Sequence, residues 1–344
     1  TQSRSSAASD VYKRQSILIP FKDVENYIEE CFSSIESQTY RNWEVIAVND
    51  SSSDASAFIA KQFSARDSRF QIVSNDKSGI ITALRKAYKL CKGDYITRMD
   101  ADDRMSVDRV QTMVTSLIEH GKGTIAIGLV KYFCETGVND GYDRYEKWLN
   151  KLTVNGTNFE EIYKECVIPS PSWMVHKEDF EDCGAFEPNR YPEDYDLAFR
   201  YYEKKLRCIP CSKTLHYWRD YKTRTSRTSE HYAQNYFLDI KLHYFLKLEY
   251  QPYHQLVVWG AGKKGKTIAN SLVDKNIAFH WVCDNPKKIG KNIYGVQLSH
   301  FSHLKCLENP ISIITVANKE EQKKIKIFFK GLKQTPANDY FFFC

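Results

Sequence analysis

From Ser16 onward, short apolar runs alternate with stretches of helical period, and no other feature restricts the fold as much. Ser16-Ile-Leu-Ile-Pro20 reads as a buried strand, Trp43 to Asp50 as a second, Phe70 to Asn75 as a third and Asp94 to Met99 as a fourth. Between them Tyr27, Ile28, Cys31, Phe32 and Ile35 recur at helical spacing, as do Phe58, Ile59 and Phe63, and then Ile81, Leu84, Tyr88 and Cys91. Strands joined by helices of this length imply right-handed crossovers and a mainly parallel sheet. In such sheets ligands gather at the carboxyl ends of the strands. Here those ends carry Asp50 and the run Asp100, Asp102, Asp103.

The pattern continues with a helix over 107–118, stopped by Gly121, and then blurs over 122–190, where short strands, glycine turns and aromatics mix. It returns as a helix within 192–204, a strand pair within 206–219 and a long helix from His231 to Leu248, leading to the turn at Gln251-Pro252. A second α/β unit follows, with strands at 254–260, 278–284 and 311–318 and a helix from Lys264 to Lys275. Its length is too short for a complete six-stranded dinucleotide domain. The expected domains are therefore 16–229, a linking helix over 230–252, and 253–344, and 344 residues suit two domains. Residues 1–15 are Ser-rich without hydrophobic period and read as a disordered leader that is not native.

Composition excludes several classes. With 49 Lys plus Arg against 43 Asp plus Glu, the net charge of +6 is too weak to argue for nucleic acid. No apolar window reaches the roughly 18 residues of a membrane helix, and no signal peptide stands out, so a cytoplasmic location is expected, with peripheral association at the inner face of the plasma membrane. The ten cysteines lack paired spacing except Cys208-Ile-Pro-Cys211, which lies in a strand-like stretch and reads as two reduced small hydrophobes.

Four carboxylates, Asp100, Asp102, Asp103 and Asp108, fall within nine positions behind the fourth strand. In an extended or turning backbone, residues i and i+2 point to one side, so Asp100 and Asp102 can face one point. Two like charges that close repel unless a cation sits between them. Hard oxygen ligands suit Mg²⁺ or Mn²⁺, which keep one or two carboxylates and complete their shell from phosphates and water. The alternative is an Asp-rich helix start in solvent.

The order SILIPFKDVENYIEECFSSIESQTYRNWEVIAVNDSSSD, then SGIITALRKAYKLCKGDYITRMDADD, then PEDYDLAFR, then HYWRDYKTRTSRTS, resembles the inverting family 2 glycosyltransferases of the GT-A fold, over residues 16 to about 229. The resemblance implies an α/β architecture: a nucleotide-diphospho-sugar transferase domain with a Rossmann-like mixed sheet, then a smaller Rossmann-like α/β domain. It implies a nucleotide-sugar donor and a glycan or lipid-linked acceptor. Asp50 would meet the uracil or ribose, Pro20, Arg85, Arg219 and Arg227 would line the nucleotide sugar, Asp100 would contact ribose and metal-bound water, and Asp102 would bind the metal. Asp194, in Glu193-Asp194, would be the general base. The chain departs from the usual Asp-Asp-Gly-Ser turn, having Asn49-Asp50-Ser51-Ser52, and it lacks a His-Pro pair before the base.

Chemistry supports these roles separately. Breaking a bond to a diphosphate builds charge on the leaving group, which needs a cation or Arg and Lys donors. An acceptor hydroxyl must lose its proton as it attacks, and one base with one displacement inverts the anomeric centre. Burial would raise the pKa of Asp194, whereas a helix N-terminus lowers it. The run Arg219, Lys222, Arg224, Arg227 reads as a clamp over the diphosphate or as a solvated basic loop. His216 or His231 could add a metal ligand, but an isolated histidine near aromatics is more often structural.

In the second unit Gly260-Ala-Gly262-Lys-Lys-Gly265 follows a strand and opens a helix, and Asp284 ends the next strand. A nucleotide whose pyrophosphate lies on the glycine turn and whose ribose meets Asp284 is one reading; a ligand-free scaffold is the other. Two further functions stay open: an NAD(P)-dependent oxidoreductase acting through this unit, and a nucleotide-sugar binding protein without catalysis.

Overall fold

A computed structural model describes residues 13–134, 137–138, 140–222, 224 and 237–344 of the chain. The described residues divide into two compact units, one built from those up to 158 together with 167–224, the other from 159–166 and 237–344.

The first unit opens with the alternation read above: β1 (Gln15–Phe21), α1 (Ile28–Glu36), β2 (Trp43–Asn49), α2 (Ser56–Arg66), β3 (Phe70–Ser74), α3 (Ile80–Leu90) and β4 (Tyr95–Arg98). Then come β5 (Arg104–Met105), α4 (Arg109–His120), β6 (Thr124–Phe133), α5 (Asp140–Asn155), β7 (Trp173–His176), α6 (Lys177–Asp182), α7 (Glu193–Glu203) and β8 (Arg207–Arg219). These strands form an eight-stranded sheet in the order β3-β2-β1-β4-β7-β6-β8-β5. β1 to β4 pair in parallel, but β7 runs antiparallel to both β4 and β6, and β5 antiparallel to β8. The sheet is therefore mixed and still mainly parallel: six of its eight strands share one direction and only β5 and β7 are reversed. The expected strand pair over 206–219 is one long strand, parallel to β6, whose register slips where Gly128 pairs with Cys211 and Leu129 with Thr214. Residues 212–213 are absorbed as an irregularity and do not form a turn.

The apolar periodicity is buried as its spacing requires. Ile28, Cys31, Phe32 and Ile35 of α1 lie on one inward face, where Phe32, Phe63 and Phe70 meet ring to ring at 5.2 to 5.5 Å. Each such ring contributes about 2–3 kcal/mol by leaving water. Cys208 and Cys211 are both buried free thiols on β8.

In the second unit α8 (Leu238–Leu248) precedes β9 (Gln255–Trp259), α9 (Lys263–Asp274), β10 (His280–Cys283), β11 (Asn292–Ile293), β12 (Val296–His300), β13 (Pro310–Ile314), α10 (Lys319–Gly331) and β14 (Tyr340–Phe342). The sheet order is β11-β12-β10-β9-β13-β14. The five strands other than β11 are parallel, and counted within the unit they run 3-2-1-4-5, the doubly wound order. Six strands do fit the short length, because β11 is a two-residue antiparallel edge. Two assignments differ from the sequence-based boundaries. Residues 159–166 belong here, since the Tyr163 ring stacks on Phe343 at 5.4 Å and Lys241 Nζ donates to the Lys164 carbonyl at 2.8 Å. α8 packs on α9 and is part of the unit, not a link; residues 231–236 of the expected helix lie outside the described residues.

Candidate functional site

Asp50 follows β2, and Pro20 lies on the neighbouring β1. The Asp50 carboxylate is buried and already engaged: it accepts from Asn75 Nδ2 at 2.7 Å and from the Gly79 amide at 2.9 and 3.0 Å. It thereby ties the β3–α3 loop to the end of β2. Ser51, where the usual turn has glycine, sits at φ +62°, a left-handed conformation that costs a non-glycine residue about 1–2 kcal/mol.

The acid run follows β4 directly. Arg98, the last residue of that strand, sends Nη2 to Asp100 Oδ1 at 2.9 Å and Nη1 to Glu193 Oε1 at 2.8 Å. Asp194 is the next residue on α7, so the acids from the fourth strand and from the distant helix meet around one guanidinium. Tyr195 N donates to Asp194 Oδ1 at 2.8 Å. Burial and the neighbouring Glu193 nonetheless raise Asp194 to a pKa of about 7, with Arg98 acting in the opposite direction. The expected contest between burial and helix N-terminus thus goes to burial.

Asp102 accepts from Tyr221 Oη at 2.9 Å. Desolvation, then the charge of Asp103, pushes its pKa up to about 7, against the pull of Arg224. Asp103 is fully buried and raised by desolvation; its carboxylate accepts from the Arg219 amide at 2.7 Å and from His216 Nε2 at 2.9 Å. The tautomer of His216 follows from its other partner. Arg109 Nη1 lies 3.1 Å from His216 Nδ1, and a guanidinium can only donate, so Nδ1 accepts and Nε2 carries the proton. Burial and Arg109 hold His216 well below its usual pKa. Both ring nitrogens are used, which makes His216 a structural support and not a metal ligand.

Fit to a divalent cation can be judged from this donor set. Asp102 carries a like-charge burden from Asp103 and Asp100 that Arg224 and the Tyr221 hydroxyl offset only in part. Among the described residues no cluster of three or more His, Cys, Asp or Glu is arranged to hold a metal. The chain would supply two carboxylates, and phosphate oxygens and water the rest, which is the habit of Mg²⁺ and Mn²⁺. The residues fit such an ion as one completed by substrate.

The basic run is placed differently from the expected clamp. Arg219 ends β8, donates from Nε to the Asp102 carbonyl at 2.8 Å, pairs through Nη2 with Glu30 and packs over Tyr27 and Phe133. Arg224 is buried over the Trp218 ring at 5.1 Å. These two are parts of the site wall; Arg227 and His231 lie outside the described residues. Arg85, expected along the nucleotide, donates from Nε to the Phe186 carbonyl at 2.7 Å and from Nη2 to that of Glu187.

Sequence reasoning gave no role to Arg98, Tyr221 or the Arg109–His216–Asp103 chain. Strand alternation was a usable signal for the first, since Arg98 and Asp100 are i and i+2 and share a side.

In the second unit two of the three glycines are required by packing. A Cβ on Gly265 would lie 2.0 Å from the Gly260 carbonyl oxygen, and one on Gly260 would lie 2.5 Å from Thr315 Oγ1. A Cβ on Gly262, the N-cap of α9, would meet nothing within 4 Å. Trp281 Nε1 donates to the Gly260 carbonyl at 2.9 Å and Lys288 Nζ to that of Ala261 at 2.6 Å, while Asp284 is exposed behind β10.

Open α/β sheets take ligands at the carboxyl ends of their strands, and here that edge carries the acids. Residues 16–184 match the family model described as Glycosyl transferase family 2. A Bacillus subtilis protein named as a teichuronic acid biosynthesis glycosyltransferase, TuaG, is 30% identical over 184 residues, covering 53% of this chain and 69% of that one. The chain belongs to glycosyl transferase family 2. It is also 30% identical over 223 residues to glycosyltransferase GlyA of Streptococcus pneumoniae, covering 61% of this chain but spanning only 31% of GlyA. The fold is similar to that of S. aureus TarS 1–349 in complex with UDP-GlcNAc, with TM-score 0.54, 16% identity, and coverage of 70% of this chain and 68% of that one. Among the described residues no helix is long and apolar enough to cross a membrane.

Proposed function

We propose that the first unit transfers a sugar from a nucleotide-diphosphate sugar, taken to be a UDP-sugar, to a hydroxyl acceptor with inversion at the anomeric carbon. The product would be a cell-surface polysaccharide, lipopolysaccharide or glycolipid, a reading supported by the likeness to TuaG. The observation that carries the proposal is the buried Arg98, which holds Asp100 and Glu193 at 2.9 and 2.8 Å and so brings the donor-side acids next to Asp194.

Asp102, with Asp100, would hold Mg²⁺ or Mn²⁺, which when bound supplies positive charge for a departing diphosphate. Asp50, through the loop it anchors at Gly79, and Pro20 shape the floor for base and ribose. Arg85 reaches the nucleotide with the Nη1 end that the 186–187 carbonyls leave, and Arg219 lines the wall behind Asp102. Asp194 takes the acceptor hydroxyl proton as its oxygen bonds to the anomeric carbon; the bond to the diphosphate breaks, and its electron pair leaves with the nucleotide. A carboxylate whose pKa lies near 7 is matched to that task.

The second unit is read as a Rossmann-like module that holds a nucleotide with its pyrophosphate at Gly260, Gly262 and Gly265 and its ribose near Asp284. Support comes from Gly262, whose lack of a side chain no packing requires. UDP release from a panel of UDP-sugars, with and without Mn²⁺, tests the main proposal: release that depends on the ion and disappears in Asp102→Ala is expected. A change in NADH absorbance with sugar substrates, without UDP release, would favour an oxidoreductase instead.

A further inference from the structure

Arg98 joins the two halves of the site and has no role in the chemistry above. A guanidinium offers five N–H donors in a planar fork, and here the fork is divided. Nε and Nη2 reach Asp100 Oδ1 at 3.1 and 2.9 Å, and Nη1 reaches Glu193 Oε1 at 2.8 Å. The Arg98 and Glu193 side chains are only 6% and 8% exposed. A buried ion pair of this kind is weak evidence for stability, because well-packed apolar residues often serve as well. What it adds is geometry. Glu193 begins α7 and Asp194 follows it, so a fixed Glu193 fixes the turn that presents Asp194. The chain leading into that turn is held too, since Arg85 grips the Phe186 and Glu187 carbonyls. Residues 186–194 are thus tied at both ends to elements that carry the donor-side groups.

We propose that Arg98 is a positioning residue for glycosyl transfer: by gripping Asp100 and Glu193 together it holds Asp194 in register with the donor. The assignment rests on the glycosyl-transfer reading of the first unit. Glu193 variants test it most cleanly, because they cut the Asp194 arm and leave Arg98 on Asp100. The full chain is assayed for UDP release from UDP-glucose and UDP-N-acetylglucosamine with Mn²⁺, with kcat and KM separated and Tm measured alongside. Glu193→Leu lowers kcat about a hundredfold, the loss that follows from a misplacement of about 1 Å, and changes the donor KM less than about threefold, since donor binding is not what it removes. Glu193→Gln still accepts from Nη1 and recovers kcat to within about tenfold of the unaltered chain. The double variant Arg98→Met with Glu193→Leu replaces the Arg98–Glu193 pair by apolar side chains but leaves Asp100 without its cation; Tm falls and kcat stays low. The proposal is overturned if Glu193→Leu keeps its kcat, or if the double variant regains kcat. An unaltered chain that releases no UDP from either donor overturns the underlying reading, a result separable from an active chain with an equally active Glu193→Leu.

Discussion

The acid site of the first unit and the glycine turn of the second, both proposed as places for the anionic groups of a nucleotide at strand ends, are built from opposite materials. Around the acids, side chains do most of the work, joined by two backbone amides: Arg98 on Asp100, Tyr221 on Asp102, His216 and the Arg219 amide on Asp103, the Gly79 amide and Asn75 on Asp50. Around the turn, backbone does nearly everything, with Gly260 and Gly265 packed so closely that no side chain fits. The first arrangement concentrates buried negative charge and leaves Asp102, Asp103 and Asp194 all with raised pKa values. The second buries none: Lys263 and Asp284 are exposed, and Lys264 and Lys288 half-buried. A side-chain site is therefore disabled by removing atoms and responds to protons and cations, whereas a backbone site is disabled by adding atoms and is indifferent to pH.

That contrast can be broken at several points. The largest stability effect belongs to the turn: Gly265→Ala drives a methyl into the Gly260 carbonyl and costs about 3 kcal/mol or more, read as the midpoint shift in urea. Gly262→Ala, in open space, stays within about 0.5 kcal/mol yet abolishes any nucleotide-induced rise in Tm. If both variants behave alike, the distinction between packing and ligand glycines is wrong.

Next is the response to pH. Asp102 and Asp194 bind protons more tightly in the folded chain, with pKa about 7, than at their ordinary value of 3.8. Between those values the folded state holds protons that the unfolded chain has released, so the contribution of these two acids to ion-free stability is greatest at low pH and is lost as pH rises to about 7, while His216, held below its usual value, contributes with the opposite sign. Mn²⁺ competes for the same oxygens, so the Tm rise it causes grows across that window. Thermal melts of the unaltered chain, Asp102→Asn and Asp194→Asn at a series of pH values, with and without Mn²⁺, check both trends; the variants lose less ion-free stability between pH 5 and 8 than the unaltered chain, and identical profiles in all three would contradict the assignment.

The smallest effect concerns Ser51. At φ +62° it accepts strain that glycine avoids, so Ser51→Gly stabilises the first unit by about 1 kcal/mol. Denaturant unfolding measures it, and a destabilised variant would mean that the serine side chain outweighs the strain.

Much of the first unit was legible because its signals are local. Apolar period marked β1 to β4 with their helices, and Asp100-Ala-Asp102 and Glu193-Asp194 stood out as acids at a strand end and a helix start. Pairings across long separations left no local trace. Arg98 meets Glu193 across 95 residues, and Arg85 meets Phe186 across 101, so one arginine had no role and the other was expected wholly on the nucleotide. The long β8 read as two strands because Ser212 and Lys213 look like a turn, and only the pairing with β6 shows the irregularity. Residues 159–166 join the second unit through the Tyr163 ring, which stacks on Phe343 and meets Phe341 edge-on, contacts that no period within the segment encodes.

The central claim is a division of labour between two acids that share one site, and it is tested most directly by titrating UDP-sugar, in the presence of Mn²⁺, into Asp102→Asn and Asp194→Asn and following UDP release from each. The account predicts that Asp194→Asn binds donor with unchanged affinity while release falls about a thousandfold, and that Asp102→Asn loses both. Donor affinity lost in Asp194→Asn and kept in Asp102→Asn would contradict it.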